Sequence, residues 1–269
     1  MSTFYSHKVV AITGGTTGIG KALIDDLVGK GAHISTCGRT ADTLERLQKE
    51  YPDKKIHTII ADVSKEEDCK NFIQSTISAF GRIDILINNA GVSMRALVKD
   101  TDINTIKKVM DTNFWGTVYC TKFALNNIIE SKGTIVGVSS IAGYRGLPGR
   151  SGYSASKYAV NGFLEALRTE MIDSGVNVMW VAPGFTASNI RNVALNNEGK
   201  PHGESPMDEG KMMTSEVCAR HILKAIEKRK RTLVLTFTGK RTVFMNKFFP
   251  GWADHLVKKY FFKGSELVR

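Results

Sequence analysis

The sequence predicts a single-domain α/β protein: a doubly wound, seven-stranded parallel sheet with helices on both faces, in three layers α/β/α. Three observations carry that prediction. Short apolar runs rich in β-formers alternate with segments of helical periodicity, the pattern of successive βαβ units. The alternation proceeds without an internal repeat or an interdomain linker. The chain has 269 residues, 42% of them hydrophobic and 23% charged, which suffices for one large core.

The elements follow in order. Strands are expected at 9–13, 33–37, 56–60, 83–88, 133–139, 177–182 and 232–236, and helices at 18–30, 41–50, 66–80, 103–130, 152–174 and 215–229. The stretch 185–214 is polar, contains Pro201, Gly203, Pro206 and Gly210, and directly follows a strand end. A loop of that length in a compact domain reads as a lid over a site. The catalytic domain is therefore expected to span 1–240, lid included, and a basic aromatic extension to span 241–269.

Charge is concentrated in that last part. The net charge is +11, yet residues 221–269 alone hold twelve Lys/Arg against three Asp/Glu. Such asymmetry points to an anionic partner or to a solvated basic face. No nucleic-acid-binding motif accompanies the charge, so nucleic acid is not an expected partner. After Pro250 the spacing of Phe249, Trp252, Leu256 and Tyr260 fits one face of a helix. Three placements of the tail stay open: packed on the core or a sister subunit, covering the substrate entrance, or lying on a membrane surface.

The N-terminus shows no signal-peptide pattern. No run approaches the roughly 18 to 20 apolar residues that a spanning helix needs. The four cysteines are scattered, without metal-ligand or disulfide spacing. A cytoplasmic protein without a metal, in peripheral membrane contact at most, is expected.

The chemistry begins at Thr13-Gly14-Gly15-Thr16-Thr17-Gly18-Ile19-Gly20, between the first strand and the first helix. Glycines there let the backbone approach a ligand, and the helix N-terminus offers free N–H groups to a pyrophosphate. This is the phosphate turn of a Rossmann-type dinucleotide site. After the second strand, NAD sites usually carry a carboxylate for the ribose hydroxyls. This chain has Arg39 instead, whose guanidinium pairs with a 2′-phosphate, so the expected cofactor is NADP(H).

Tyr153 and Lys157 lie four residues apart, on one face of the helix expected there. A phenol with a pKa of about 10 needs a nearby cation to exchange protons near neutrality. Lys157 is thus expected to tune Tyr153 as a general acid/base. Ser140, at the carboxyl end of the fifth strand, can polarise a carbonyl or stabilise an alkoxide.

Taken together, these motifs resemble those of the short-chain dehydrogenase/reductase family over about residues 7–185. The glycine turn is similar to its T-G-x-x-x-G-I-G, Asp62-Val63 to its adenine-contacting pair, and Asn88-Asn89-Ala90-Gly91 to its N-N-A-G. Ser140, Tyr153 and Lys157 match its catalytic set, with Asn113 as the fourth member. The resemblance implies cofactor contacts from Gly14, Thr16, Thr17, Gly18, Ile19, Gly20, Arg39, Asp62, Val63, Asn89, Ala90, Gly91, Tyr153, Lys157, Pro183, Gly184, Thr186 and Ser188. It further implies that Asn113 breaks a helix locally and holds a water on a relay from Lys157. A homodimer or homotetramer is implied as well.

The resulting expectation is an NADP(H)-dependent carbonyl reductase or alcohol dehydrogenase. The tail's looser similarity to lipid- and steroid-handling reductases, together with Met207, Met212 and Met213 in the lid, leans its small-molecule substrate toward an apolar one. A catalytically silent NADP-binding sensor and a membrane-surface adaptor are the alternatives.

Overall fold

Strands with apolar side chains on both faces cannot leave either face to water, and the chain covers both. The computed structural model describes residues 3–187, 189–203, 210 and 212–268. Seven strands are β1 (Val9–Thr13), β2 (His33–Gly38), β3 (Ile56–Ile60), β4 (Ile85–Asn88), β5 (Thr134–Val138), β6 (Asn177–Ala182) and β7 (Thr232–Val234). They form one sheet in the order β3-β2-β1-β4-β5-β6-β7, with every neighbouring pair parallel. The predicted doubly wound parallel sheet is what the structure has.

On one face, helices α1 (Gly18–Gly29), α2 (Ala41–Glu50) and α7 (Ser215–Glu227) place Leu23, Leu27, Leu47, Ile222 and Ile226 against Val10, Ile12, Ile87 and Val181. On the other, α3 (Glu66–Phe80), α5 (Gly116–Glu130) and α6 (Ser151–Glu170) bury Phe72, Ile73, Ala124, Ile128, Val160 and Leu164 against Ala11, Leu86, Ile135 and Val178. Each fully buried aliphatic side chain contributes about 1.5–3 kcal/mol, so these two layers dominate the stability. Strand order reverses between β1 and β4, which opens a crevice at their carboxyl ends.

The helix expected over 103–130 is helical along its whole length, with a π-type turn inside it. Helix α4 (Ile103–Met110) and α5 are joined by a π-type turn at Asp111–Trp115, centred on Asn113. The helix expected to reach 174 ends at Glu170; a short 3-10 turn, Ile172–Ser174, and Gly175 in the left-handed region (φ 76°) follow it.

The tail holds a helix that periodicity does not reveal, α8 (Phe237–Phe248), besides α9 (Pro250–Phe261) and a small antiparallel hairpin of β8 (Phe262–Lys263) and β9 (Glu266–Leu267). Proline begins α9, where its missing N–H is harmless. Of the face expected from Phe249, Trp252, Leu256 and Tyr260, Phe249 and Trp252 point to solvent, Leu256 and Tyr260 also border the cavity and Tyr260 stacks on Phe185, while Ala253 and Phe261 are buried.

Candidate active site

The glycine turn is shaped by contacts that a side chain would fill. Gly14 and Gly18 have φ of 67° and 55°, values that favour glycine. A Cβ on Gly20 would collide with the Gly14 carbonyl, and one on Gly15 with Thr36 and Ile24. The turn is anchored from β4: Thr13 Oγ1 accepts from the backbone N–H groups of Asn89 and Ala90, each at 3.0 Å. The Asn89 amide donates to the Thr13 and Gly14 carbonyls at 3.0 and 2.9 Å. Asn89 therefore positions the turn with its side chain. Glycine close approach at the start of α1 leaves a cradle that fits a dinucleotide's pyrophosphate.

Further along the same cavity, Arg39 is exposed and forms part of the wall with Thr40 and Thr43. Asp62 also lines the cavity, and its carboxylate accepts from the Ser64 N–H and hydroxyl at 3.0 and 2.8 Å. Val63 lines it too and packs under Gly116, where a Cβ would lie 2.9 Å from the Val63 carbonyl.

The sequence-predicted catalytic residues meet at the inner end. Ser140 caps a short turn, its hydroxyl accepting from Ala142 N at 3.1 Å, and it lines the cavity beside Tyr153. Tyr153 is buried near the start of α6. Burial pushes its phenol upward in pKa, while the Ser140 hydroxyl and the guanidinium groups of Arg150 and Arg191 oppose the rise. Lys157, one turn on, is 4% exposed and donates to the Val138 carbonyl at 2.8 Å. Its ammonium lies 5.7 Å from the Tyr153 ring centre, and burial lowers its pKa to about 8. The cations acting on the phenol are thus Arg150 and Arg191, beside the Lys157 that spacing singles out.

Asn113 is fully buried in the π-type turn. Its carbonyl oxygen Oδ1 accepts from Val92 N at 2.8 Å, and its amide donates to Val92 O and Ser156 Oγ, each at 2.9 Å. The Asn113 backbone carbonyl accepts from the Thr117 hydroxyl at 2.8 Å. Asn113 thereby fastens the loop after β4 to α6, with Gly91 between its side chain and Lys157.

Pro183, Gly184 and Thr186 follow β6 and line the cavity, as do Gly14, Thr16, Thr17, Gly18, Ile19, Ala90 and Gly91. The implied contact from Ser188 lies outside the described residues, as do Pro206 and Met207 of the lid. The cavity, of about 1180 Å³, runs from the glycine turn past Tyr153 to Met212 and Met213. Its remaining wall comes from the tail, including Thr238, Met245, Leu256, Val257 and Phe261. Pockets for single small ligands fall at roughly 300–1,000 Å³, so there is room for a dinucleotide and a second reactant.

Sequence reasoning passed over Arg150 and Arg191, 8% and 7% exposed, which both line this cavity. The usable signal for Arg150 is its place three residues before Tyr153; Arg191 has none, because only folding returns the post-β6 loop to α6. Among the described residues no group of three or more metal-ligating side chains occurs.

The short-chain dehydrogenase family profile matches residues 8–199. The chain belongs to the short-chain dehydrogenase family. It is 34% identical over 257 residues to dehydrogenase/reductase SDR family member 7B of Xenopus laevis, covering 92% of this chain and 80% of that protein. It is also 34% identical over 264 residues to 11-beta-hydroxysteroid dehydrogenase A of Arachis hypogaea, covering 93% and 74%. Among solved structures, a short-chain dehydrogenase/reductase from Burkholderia phymatum in complex with NAD superposes with a TM-score of 0.83 at 20% identity, covering 94% of this chain and 96% of that one. This short-chain dehydrogenase is accordingly an oxidoreductase of a family that binds a nicotinamide cofactor.

Proposed function

We propose that this short-chain dehydrogenase is an NADP(H)-dependent enzyme interconverting a ketone and a secondary alcohol on an apolar, lipid- or steroid-like substrate. The observation that carries the reading is the convergence of Ser140, Tyr153 and Lys157 at the inner end of a cavity whose other end is the glycine turn and Arg39. A bound nicotinamide supplies or accepts the hydride. The protein's part is proton transfer and orientation. Ser140 fixes the carbonyl oxygen, Tyr153 donates a proton to it, and Lys157 holds the ribose and stabilises the phenolate left behind. Arg39, in the place after β2 where NAD sites usually carry a carboxylate, supports NADP(H) over NAD(H).

Apolar walls from Leu256, Val257, Met245 and Phe261 support an apolar substrate. Calorimetry with NADPH and NADH, followed by a screen of apolar ketones read at the nicotinamide absorbance, tests the reading. Tight NADPH binding with turnover is expected; NADPH binding without turnover of any ketone would instead support a nucleotide sensor.

The tail's outer surface favours a place for the enzyme at an anionic lipid surface. Phe237, Phe244, Phe248, Phe249, Trp252 and Leu256 are all exposed, Trp252 by 73%. Lys240, Arg241, Lys247, Lys258 and Lys259 lie among them in sequence. Aromatic side chains insert at the headgroup boundary and basic ones attract anionic lipid, with about 1 kcal/mol per Lys or Arg near the surface. Sedimentation with vesicles of phosphatidylglycerol and phosphatidylcholine is expected to carry the enzyme down at low salt, and less so for the F248A/W252A variant. Equal recovery with pure phosphatidylcholine would count against it.

A further inference from the structure

Among the described residues, one charged group near the catalytic centre is left without a match. Arg150 precedes α6 and is 8% exposed, yet among the described residues its guanidinium makes no hydrogen bond and no ion pair. Its neighbour is the Phe261 ring, 5.9 Å from the guanidinium carbon. The other groups that act on it electrostatically are Tyr153, Arg191, Arg95 and Tyr260. None is a carboxylate.

The cavity as a whole has the same bias. Besides Lys157 and Arg39 its described wall holds Arg145, Arg150, Arg191, Arg241 and Lys259, and its sole acid is Asp62. Arg145 is ion-paired to Asp254. Asp62 stands with the glycine turn and Arg39, on the cofactor side, where its carboxylate is taken by Ser64. The phosphates of a dinucleotide have their own seats at the start of α1 and at Arg39. Arg150 belongs to the other side, between Tyr153 and the tail.

A buried guanidinium without a counter-ion is costly, and the cost is recovered when an anion fills the site. Burial also pulls the pKa of Arg150 down, in line with an unmatched charge. We infer that the substrate reduced or oxidised at Tyr153 carries a carboxylate, received by the guanidinium of Arg150 at the apolar wall made by Phe261. This rests on the oxidoreductase reading above and names the substrate class more narrowly. The planar fork of arginine accepts a carboxylate in two parallel hydrogen bonds, which fixes the direction in which the substrate chain leaves the site. The reacting carbonyl at Ser140 and Tyr153 is then set by two anchored points. An apolar remainder runs along the tail.

The test uses the full-length enzyme loaded with NADP⁺ and a matched pair of probes, 4-oxo-4-phenylbutanoate and its methyl ester. Calorimetry at low salt is expected to show the acid binding at least tenfold more tightly than the ester. In R150Q that ratio collapses toward one, and R150K, which keeps the charge but loses the fork, restores part of it; NADPH affinity in each variant reports that the fold is intact. Equal binding, no binding of the acid, or a preference that survives R150Q would overturn the inference. NADPH oxidation is followed separately. Turnover of acid and ester with equal kcat/KM would keep the oxidoreductase and remove the carboxylate, whereas preferential binding of the acid without turnover of any ketone would keep the anion seat and remove the oxidoreductase reading.

Discussion

Tyr153 loses one atom in the Y153F variant, and that atom carries the proton. The ring that packs among Met94, Val109 and Ala142 stays, so NADPH binding is expected to survive while turnover falls by about 10²–10⁴-fold, the usual worth of a general acid/base. Undiminished turnover would remove Tyr153 from the mechanism. Arg39 is expected to act on one nucleotide only: R39A should weaken NADPH in calorimetry far more than NADH, and equal losses would discredit the 2′-phosphate contact. Lys157 adds a dependence on pH. Its pKa is lowered to about 8 by burial, from an unfolded value near 10.5, so between those values the unfolded chain binds more protons and stability contributed by this group rises with pH. Below about pH 8 both states are protonated and the desolvation penalty is present in full. Denaturation of the nucleotide-free enzyme at pH 7.5 and 9.5, beside K157M, should show the rise in the wild type and its loss in the variant.

Elements convert such side chains into a site. The glycine turn is a backbone device: a Cβ on Gly20 would press into the Gly14 carbonyl and the Asn89 amide. G20A is expected to cost about 1–3 kcal/mol, as overpacking does, and to remove NADPH binding; calorimetry and thermal unfolding check both. The π-type turn shows what periodicity misses. Residues 103–130 read as one helix because the apolar spacing runs through, and only the family resemblance marks Asn113 as a break. The break brings the Asn113 side chain across to Val92 and Ser156, partners 21 and 43 residues distant that no local pattern displays. Helix α8 was hidden for the opposite reason. Phe237, Phe244 and Phe248 are all exposed and Gly239 is its one buried residue, so it has no apolar stripe to read; its start is held by the Thr236 hydroxyl accepting from Gly239 N at 3.0 Å.

At the scale of the whole molecule, the tail completes the cavity. A chain ending at Leu235 keeps the sheet, α1 and the glycine turn but loses the wall made by Leu256, Val257 and Phe261. It is expected to retain NADPH affinity within a fewfold while KM for an apolar ketone rises at least tenfold; an unchanged KM would assign the tail to surface contact alone. Self-association, which the family resemblance implies, is proposed to use α6 and the π-type turn before α5, where Tyr158 and Trp115 remain 45% and 43% exposed. Analytical ultracentrifugation of W115A/Y158A should shift the enzyme toward monomer.

The sequence by itself determined the sheet, its parallel sense, the glycine turn and the Ser140, Tyr153 and Lys157 set, because each is written in local spacing: strand runs in β-formers, glycines at a strand–helix junction, two side chains one helical turn apart. Tertiary structure alone decided which cations face the Tyr153 phenol and what closes the cavity. Arg150, Arg191 and Phe261 come from three separate stretches of chain, and their shared environment exists only once burial has brought them together and stripped their charges of water.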